Sequence, residues 1–180
     1  MVRLFDFIFS LLGLIFGFPI LLIIYVLGLF DTGSPLFKQE RVGRYKKPFT
    51  LVKFRTMTVD TASVASHLAS TASITRMGGF LRKTKLDELP QLWNVFTGEM
   101  SVVGPRPIVR EEIPLYGDQF EIYTHVHPGL TGLWQVSGRN ALSYEKRIAL
   151  DVRYSQTASI GIDLRIIGIT LFEVFRGSGR

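Results

Sequence analysis

Residues 83–107 read KTKLDELPQLWNVFTGEMSVVGPRP, and the rest of the chain is organised around this stretch. Thr84 to Asp87 has capping-box spacing, which predicts a helix beginning there. Leu86, Leu89, Leu92, Trp93 and Phe96 then fall on one apolar helical face, and Pro90 marks a start or bend. Ser101-Val-Val103 reads as a short buried strand. In Gly104-Pro-Arg-Pro107 two prolines hold Arg106 extended, so its guanidinium has little freedom left to lose. Asp87 and Glu88 are adjacent near a predicted helix start, where backbone N–H groups favour phosphate. Neighbours on a helix point about 100° apart, which suits two separate jobs better than one shared proton. Adjacent acids among cations suit phosphoryl chemistry. One carboxylate attacks or takes a proton, the other holds a divalent cation, and the cations neutralise phosphate oxygens. The plain alternative for Asp87 is a helix-start acid with no chemistry.

Upstream, Leu4 to Phe30 carries Asp6 as its one charge. A straight helix of roughly 27 residues runs about 40 Å, more than the ~30 Å hydrocarbon core. A secretory signal would have a shorter apolar region and a small-residue cleavage site. Pro19 removes a backbone hydrogen bond and predicts a kink. A spanning helix and a re-entrant one both remain open on these residues, the second requiring Ser10 or nearby protein to serve the freed carbonyls. Asp31-Thr-Gly-Ser-Pro35 reads as the turn that ends the segment. Lys38, Arg41, Arg44, Lys46, Lys47, Lys53 and Arg55 follow, with Glu40 as their one acid. That excess predicts a body on the cytoplasmic side, against anionic lipid headgroups.

The 180 residues allow one cored domain and an appendage. Net charge is +6, which fits anionic partners. With no cysteine, thiolate nucleophiles and Cys-ligated metals are excluded. No P-loop is present, which disfavours an NTPase. Leu51 to Met57 alternates as a strand. Residues 61–75 are rich in Ser, Ala and Thr and read as a mobile loop carrying a solvent-exposed His67. His125-Val-His127 places two imidazoles on one face of a predicted strand, but a metal site would need more ligands than this pair. Residues 128–139 are glycine-punctuated and contain Trp134 and Arg139, a weak sign of a nucleotide-contacting loop. Ala141 to Ser155 reads as a helix with Asp151, Arg153 and Tyr154. Asp163 to Arg176 is amphipathic, for the core or a membrane interface. The fold class is mixed α/β (α+β) and helix-rich.

Four motifs resemble the bacterial sugar transferases, the monotopic phosphoglycosyl transferases. They are Lys53-Phe-Arg-Thr-Met57, Lys85-Leu-Asp-Glu-Leu-Pro-Gln-Leu-Trp-Asn94, Met100-Ser-Val-Val-Gly-Pro-Arg-Pro107 and Pro128-Gly-Leu-Thr-Gly-Leu-Trp-Gln-Val-Ser-Gly-Arg-Asn140. Asp151, Tyr154, Asp163 and Leu164 resemble its C-terminal pattern, and the length resembles the minimal catalytic form. The resemblance implies transfer of a sugar-1-phosphate from a UDP-sugar to polyprenol phosphate, with release of UMP and a requirement for magnesium. By analogy Asp87 is the nucleophile and Glu88 holds or orients the metal, with Asp87 sharing it. Arg106 holds phosphate, and Lys53, Arg55, Arg82, Arg139, Asp151 and Tyr154 are further substrate-binding candidates. Residues 1–32 become a kinked re-entrant membrane helix. Residues 33–180 become a catalytic domain with interfacial amphipathic helices, on the cytoplasmic face of the bacterial inner membrane. The kink carries Phe18-Pro19 where some small members have Ser-Pro. Two rival classes are a membrane-tethered nucleic-acid module and a non-catalytic scaffold for anionic ligands. The first lacks any recognition-helix or aromatic-basic motif, so no nucleic-acid partner is expected.

Overall fold

A computed structural model describes residues 2–60, 73–138 and 141–176. The predicted loop is therefore described only at its end, and His67 and Arg139 lie outside the described residues.

Helix α1 (Val2–Thr32) is long and apolar enough to cross a membrane and continues as one element through Pro19. It spans about 46 Å at 1.5 Å per residue. The predicted turn survives only as Gly33 to Pro35, because the last helical turn takes in Asp31 and Thr32. Gly33 has φ 71°, which lets the chain reverse after the helix. One stripe of α1 faces the body of the protein. Asp6, Ser10, Ile24 and Gly28 are buried along it. A Cβ on Gly28 would lie 2.7 Å from Pro35 Cβ, so only glycine allows this approach. The remaining surface is apolar and exposed, Phe16 at 77% and Phe30 at 86%. Of the two groups expected to serve a proline break, Ser10 or nearby protein, Ser10 does not. Its hydroxyl goes to the Asp6 and Phe7 carbonyls, one turn from the N-terminus.

Strands β1 (Leu36–Val42) and β2 (Pro48–Phe54) form an antiparallel hairpin, with Leu36 opposite Phe54 and Val42 opposite Pro48. The second strand thus starts and ends three residues before the predicted one, and Met57 instead makes an isolated bridge to Ile74. Helix α2 (Arg76–Thr84) is capped by Thr75, whose side chain accepts from Gly78 N. The predicted capping box fails here. Thr84 Oγ1 donates backwards to Phe80 O, so Thr84 ends α2, and Lys85 turns left-handed at φ 62°. Leu86–Glu88 is a single 3-10 turn, and α3 (Gln91–Thr97) starts after Pro90.

Strands β3 (Ser101–Val103) and β4 (Gly129–Thr131) pair in parallel. Two short helices, α4 (Ile113–Tyr116) and α5 (Phe120–Thr124), lie between them. His125 caps α5 and His127 follows in a loop, so the predicted His-Val-His strand is absent; the helix takes its backbone first. Helices α6 (Tyr144–Thr157) and α7 (Ile160–Phe175) close the fold. Their N-caps are Ser143 and Ser159, each accepting from the N–H three residues on.

Three apolar clusters hold these elements. Phe49, Leu51, Val95, Met100, Val102, Val103, Tyr154 and Ile166 form the central one. A second joins Val42, Ile108, Tyr116, Tyr123, Ile148 and Val152. The third sets Ile24 and Leu21 of α1 against Phe54, Leu81 and Leu86, so this long apolar helix packs directly beside the 3-10 turn carrying Asp87.

Candidate active site

Asp87 sits in the 3-10 turn between α2 and α3, only 7% exposed, and its Oδ1 is buried without a hydrogen-bond partner. Burial, and then the neighbouring Glu88, push its carboxyl up to about 6, against the pull of Lys85, Lys53 and Arg82. An ionised carboxylate with an unsatisfied oxygen in such a place is poorly solvated and therefore reactive. The left-handed Lys85 two residues earlier is the backbone feature that turns Asp87 inward, since it ends α2 and opens the 3-10 turn. Lys85 Nζ lies 3.9 Å from Glu88.

Lys53 reaches the same place from β2. Burial holds its ammonium down to about 8, and Asp87 is the strongest opposing influence. Asn94 fixes β2 against α3. Its Nδ2 donates to Thr50 O at 2.8 Å, and its Oδ1 accepts from Val52 N at 3.2 Å. Arg82 is aimed by Thr56, whose Oγ1 accepts from Nε at 2.8 Å.

Arg106 joins through Arg41. Burial, and then the charge of Arg106, lower the Arg41 guanidinium to about 10, and Arg41 in turn bears on Lys53. Arg106 and Lys53 are thus linked through their shared electrostatic neighbour Arg41. The loop presenting Arg106 has its backbone satisfied nearly throughout. Tyr123 Oη donates to Arg106 O at 2.7 Å, Gly129 N to Pro105 O at 2.8 Å, and Arg41 Nη1 to Pro107 O at 2.9 Å. Gly104 and Gly129 are pressed together so closely that a Cβ on Gly129 would meet Gly104 N at 2.0 Å. The Arg106 guanidinium stands 5.9 Å from the Trp134 ring, which Arg147 also approaches at 5.0 Å.

Asp87, Glu88, Lys53 and Arg82 are therefore brought together, and Arg106 acts on Arg41, which in turn acts on Lys53. Asp151 and Tyr154 are placed elsewhere, and Arg55 borders the cluster, sharing the Phe37 ring with Lys53. Arg55 Nε donates to Ser34 O at 2.9 Å, pinning the exit of α1 to β2. Asp151 is buried, accepts from Tyr116 Oη at 3.2 Å, and is pushed well above the usual carboxylate range by burial. Tyr154 Oη donates to Asp163 Oδ1 at 2.7 Å inside the central cluster. Both support the Arg106 loop from behind, Tyr154 also reaching Val103 O at 3.1 Å. Arg41 and Asn94 were not singled out by sequence. Arg41 was one of seven cations in a cluster, and nothing local distinguishes a buried arginine from an exposed one. The cluster itself divides. Arg44 donates to His125 O, Lys46 pairs with Glu121, and Lys47 is exposed.

For a magnesium ion, the donor set is the Asp87–Glu88 pair, with the unpartnered Asp87 Oδ1 as the oxygen to offer. No group of three metal-ligating side chains occurs among the described residues. Two carboxylates fit magnesium, which usually takes one or two and completes its shell with water and substrate phosphate.

The model of the family described as bacterial sugar transferase matches residues 1–177. The UDP-galactose-lipid carrier transferase of Erwinia amylovora is 40% identical over 98% of this chain, and the chain spans 41% of its length. The UDP-glucose:undecaprenyl-phosphate glucose-1-phosphate transferase of Klebsiella pneumoniae is 41% identical over 96% of the chain, which spans 40% of that relative. The exopolysaccharide production protein ExoY of Sinorhizobium fredii is 40% identical over 98% of this chain, with 86% of its own length matched. The chain thus covers less than half of the first two relatives and most of the third. With a match running from the first residue of α1 to the end of α7, this chain belongs to the bacterial sugar transferase family.

Proposed function

We propose that the protein transfers a sugar-1-phosphate from a UDP-sugar to polyprenol phosphate, undecaprenyl phosphate by analogy with the Klebsiella relative, and releases UMP. The observation that carries this is Asp87: a buried carboxylate with an unbonded oxygen, raised to about 6, ringed by Lys53, Arg82 and Lys85. A carboxylate with this pKa is mostly ionised at neutral pH and still has a proton-binding tendency well above an exposed aspartate.

In the first step an oxygen of Asp87 attacks the β-phosphorus. The bond from that phosphorus to the bridging oxygen breaks, and UMP leaves with the oxygen and its electron pair. An aspartyl phosphosugar remains. A phosphate oxygen of polyprenol phosphate then attacks the same phosphorus and the aspartyl P–O bond breaks. Asp87 is regenerated, and the product is a polyprenyl diphosphosugar. Two steps suit substrates of such different solubility, because each reacts in turn. Lys53, Arg82 and Arg106 stabilise charge on the transferring phosphoryl group, Arg106 by its planar fork. Asp87 and Glu88 would hold magnesium, which when bound neutralises phosphate charge.

The reading extends to the membrane. Arg3 Nη1 donates to Met100 O at 2.9 Å, Asp6 accepts from Val102 N at 2.9 Å, and Gly28 abuts Pro35. Both ends of α1 thus rest on one polar body, which supports a re-entrant or in-plane helix over a span. The exposed apolar face then meets lipid, and the body lies on the cytoplasmic face against anionic headgroups.

A single-turnover assay without acceptor lipid is the test. It releases UMP stoichiometric with enzyme and leaves labelled sugar phosphate on the peptide containing Asp87, while Asp87→Asn does neither. UMP appearing only with acceptor, with no label trapped, would replace the covalent route by direct transfer. No UMP with any UDP-sugar in either condition would favour a scaffold.

A further inference from the structure

Beside the exit of α1 lies a cleft of about 430 Å³ lined by Tyr25, Ser34, Pro35, Leu36, Lys38 and Arg55. We infer that this cleft is the docking site for the phosphate of the lipid acceptor, an inference that rests on the transferase reading above.

Two cations and no acid line the cleft. Arg55 is already oriented. Nε donates to Ser34 O at 2.9 Å and Nη2 to Leu36 O at 3.3 Å, while Nη1 has no partner among the described residues. Its guanidinium therefore presents fixed N–H donors without paying further rotamer entropy. The Lys38 side chain is exposed and makes no hydrogen bond or ion pair among the described residues. Two such cations match a phosphate monoester, which carries more charge than the diester of a bulk phospholipid.

The cleft also has an apolar approach. Tyr25 lines it, and Leu22 and Leu29, three before and four after on the helix, share that face and are exposed at 50% and 45%. A prenyl chain lying along Leu22, Tyr25 and Leu29 places its head group in the cleft, with the tyrosine at the polar boundary.

What separates the acceptor from a bulk lipid is the route onward. The Phe37 ring carries Arg55 at 5.5 Å and Lys53 at 5.2 Å. Lys53 and Arg55 are two residues apart, about 7 Å along extended chain, and Lys53 is one of the three cations that act on Asp87. A phosphate handed from Arg55 to Lys53 arrives beside the acidic pair. A structural phospholipid gains nothing from that continuity.

Native mass spectrometry from neutral-lipid nanodiscs doped with polyprenol phosphate tests the binding without UDP-sugar. The wild type retains the lipid. Lys38→Glu loses it, and Lys38→Gln, which removes the charge without reversing it, weakens it. In turnover, Lys38→Glu raises the acceptor KM about tenfold, as loss of a phosphate contact does, and leaves the UDP-sugar KM in place. Retention by both variants with unchanged acceptor KM overturns the inference. So does phosphatidylglycerol, or inorganic phosphate, displacing polyprenol phosphate from the wild type at equal concentration. The binding arm stands even if no UMP is ever released, so failure of the site and failure of the reaction are told apart.

Discussion

Arg41 Nη1 donates to the carbonyl of Pro107 at 2.9 Å, so the first strand holds the loop that presents Arg106. The same guanidinium reaches Gln39 Oε1 through Nη2 and stands 3.9 Å from Glu112. Glu112 in turn accepts from Val109 N at 2.9 Å. The loop is thereby clamped on both sides of Pro107 by buried, partly charged groups.

Arg41→Lys keeps the charge but offers one point of contact where the fork makes several. The loop should lose its fixed position, and kcat should fall by roughly 10–100-fold with a smaller change in UDP-sugar KM. Steady-state kinetics beside circular dichroism checks this. Wild-type kcat in a folded Arg41→Lys protein would leave the clamp without a functional role.

Asp87 gives a pH-dependent stability with a defined sign. Its carboxyl is raised from 3.8 to about 6 in the folded chain, so the native state binds the proton more tightly than the unfolded state. Below 3.8 both states are protonated and nothing is lost. Between 3.8 and 6 the unfolded chain ionises while the folded chain keeps its proton, so stability falls with rising pH by on the order of 3 kcal/mol, the loss staying in place above that. Asp87→Asn removes this cost. Its unfolding midpoint in denaturant should exceed wild type at pH 8 and match it near pH 4. Equal midpoints at both values would show that Asp87 is well solvated.

The helix topology is open to a direct label, because the chain has no cysteine of its own. A single cysteine at Val2 should resist a membrane-impermeant thiol reagent in intact cells and react after permeabilisation. Pro19→Ala restores the N–H that Ile15 O would otherwise lack, which favours a straight span and should increase labelling from outside. Strong labelling of the Val2 cysteine with Pro19 intact would establish a true span.

The sequence carried the acidic pair, the proline-bound arginine and the apolar helix, because each is a local pattern with a chemical meaning. The same locality misled at Thr84. A capping box can be written in four residues, but the chain around Thr84 belongs to α2, which is seated by Gly78 packing so tightly on Thr56 that a Cβ would lie 2.1 Å from its carbonyl oxygen and which ends at the left-handed Lys85. Asp151 and Tyr154 entered as substrate-binding candidates through the family resemblance; their buried partners, Tyr116 and Asp163, are set by packing that no local pattern shows. Arg41 and Asn94 escaped for the same reason, since their bonds cross 66 and 44 residues of chain.

The distance along the chain between Asp6 and Val102 sets a schedule for biogenesis. Their hydrogen bond joins residues 96 apart, and Ser101, which donates to the same carboxylate at 2.9 Å, is equally late. At about 5–20 residues per second, α1 is made roughly 5–20 s before its partners exist. During that interval Arg3, 3.3 Å away on the same helix, is the partner Asp6 already has, and if the helix meets lipid as proposed above, a carboxylate at the bilayer centre is costly. On that proposal the first turn stays at the aqueous boundary until β3 arrives to take the carboxylate.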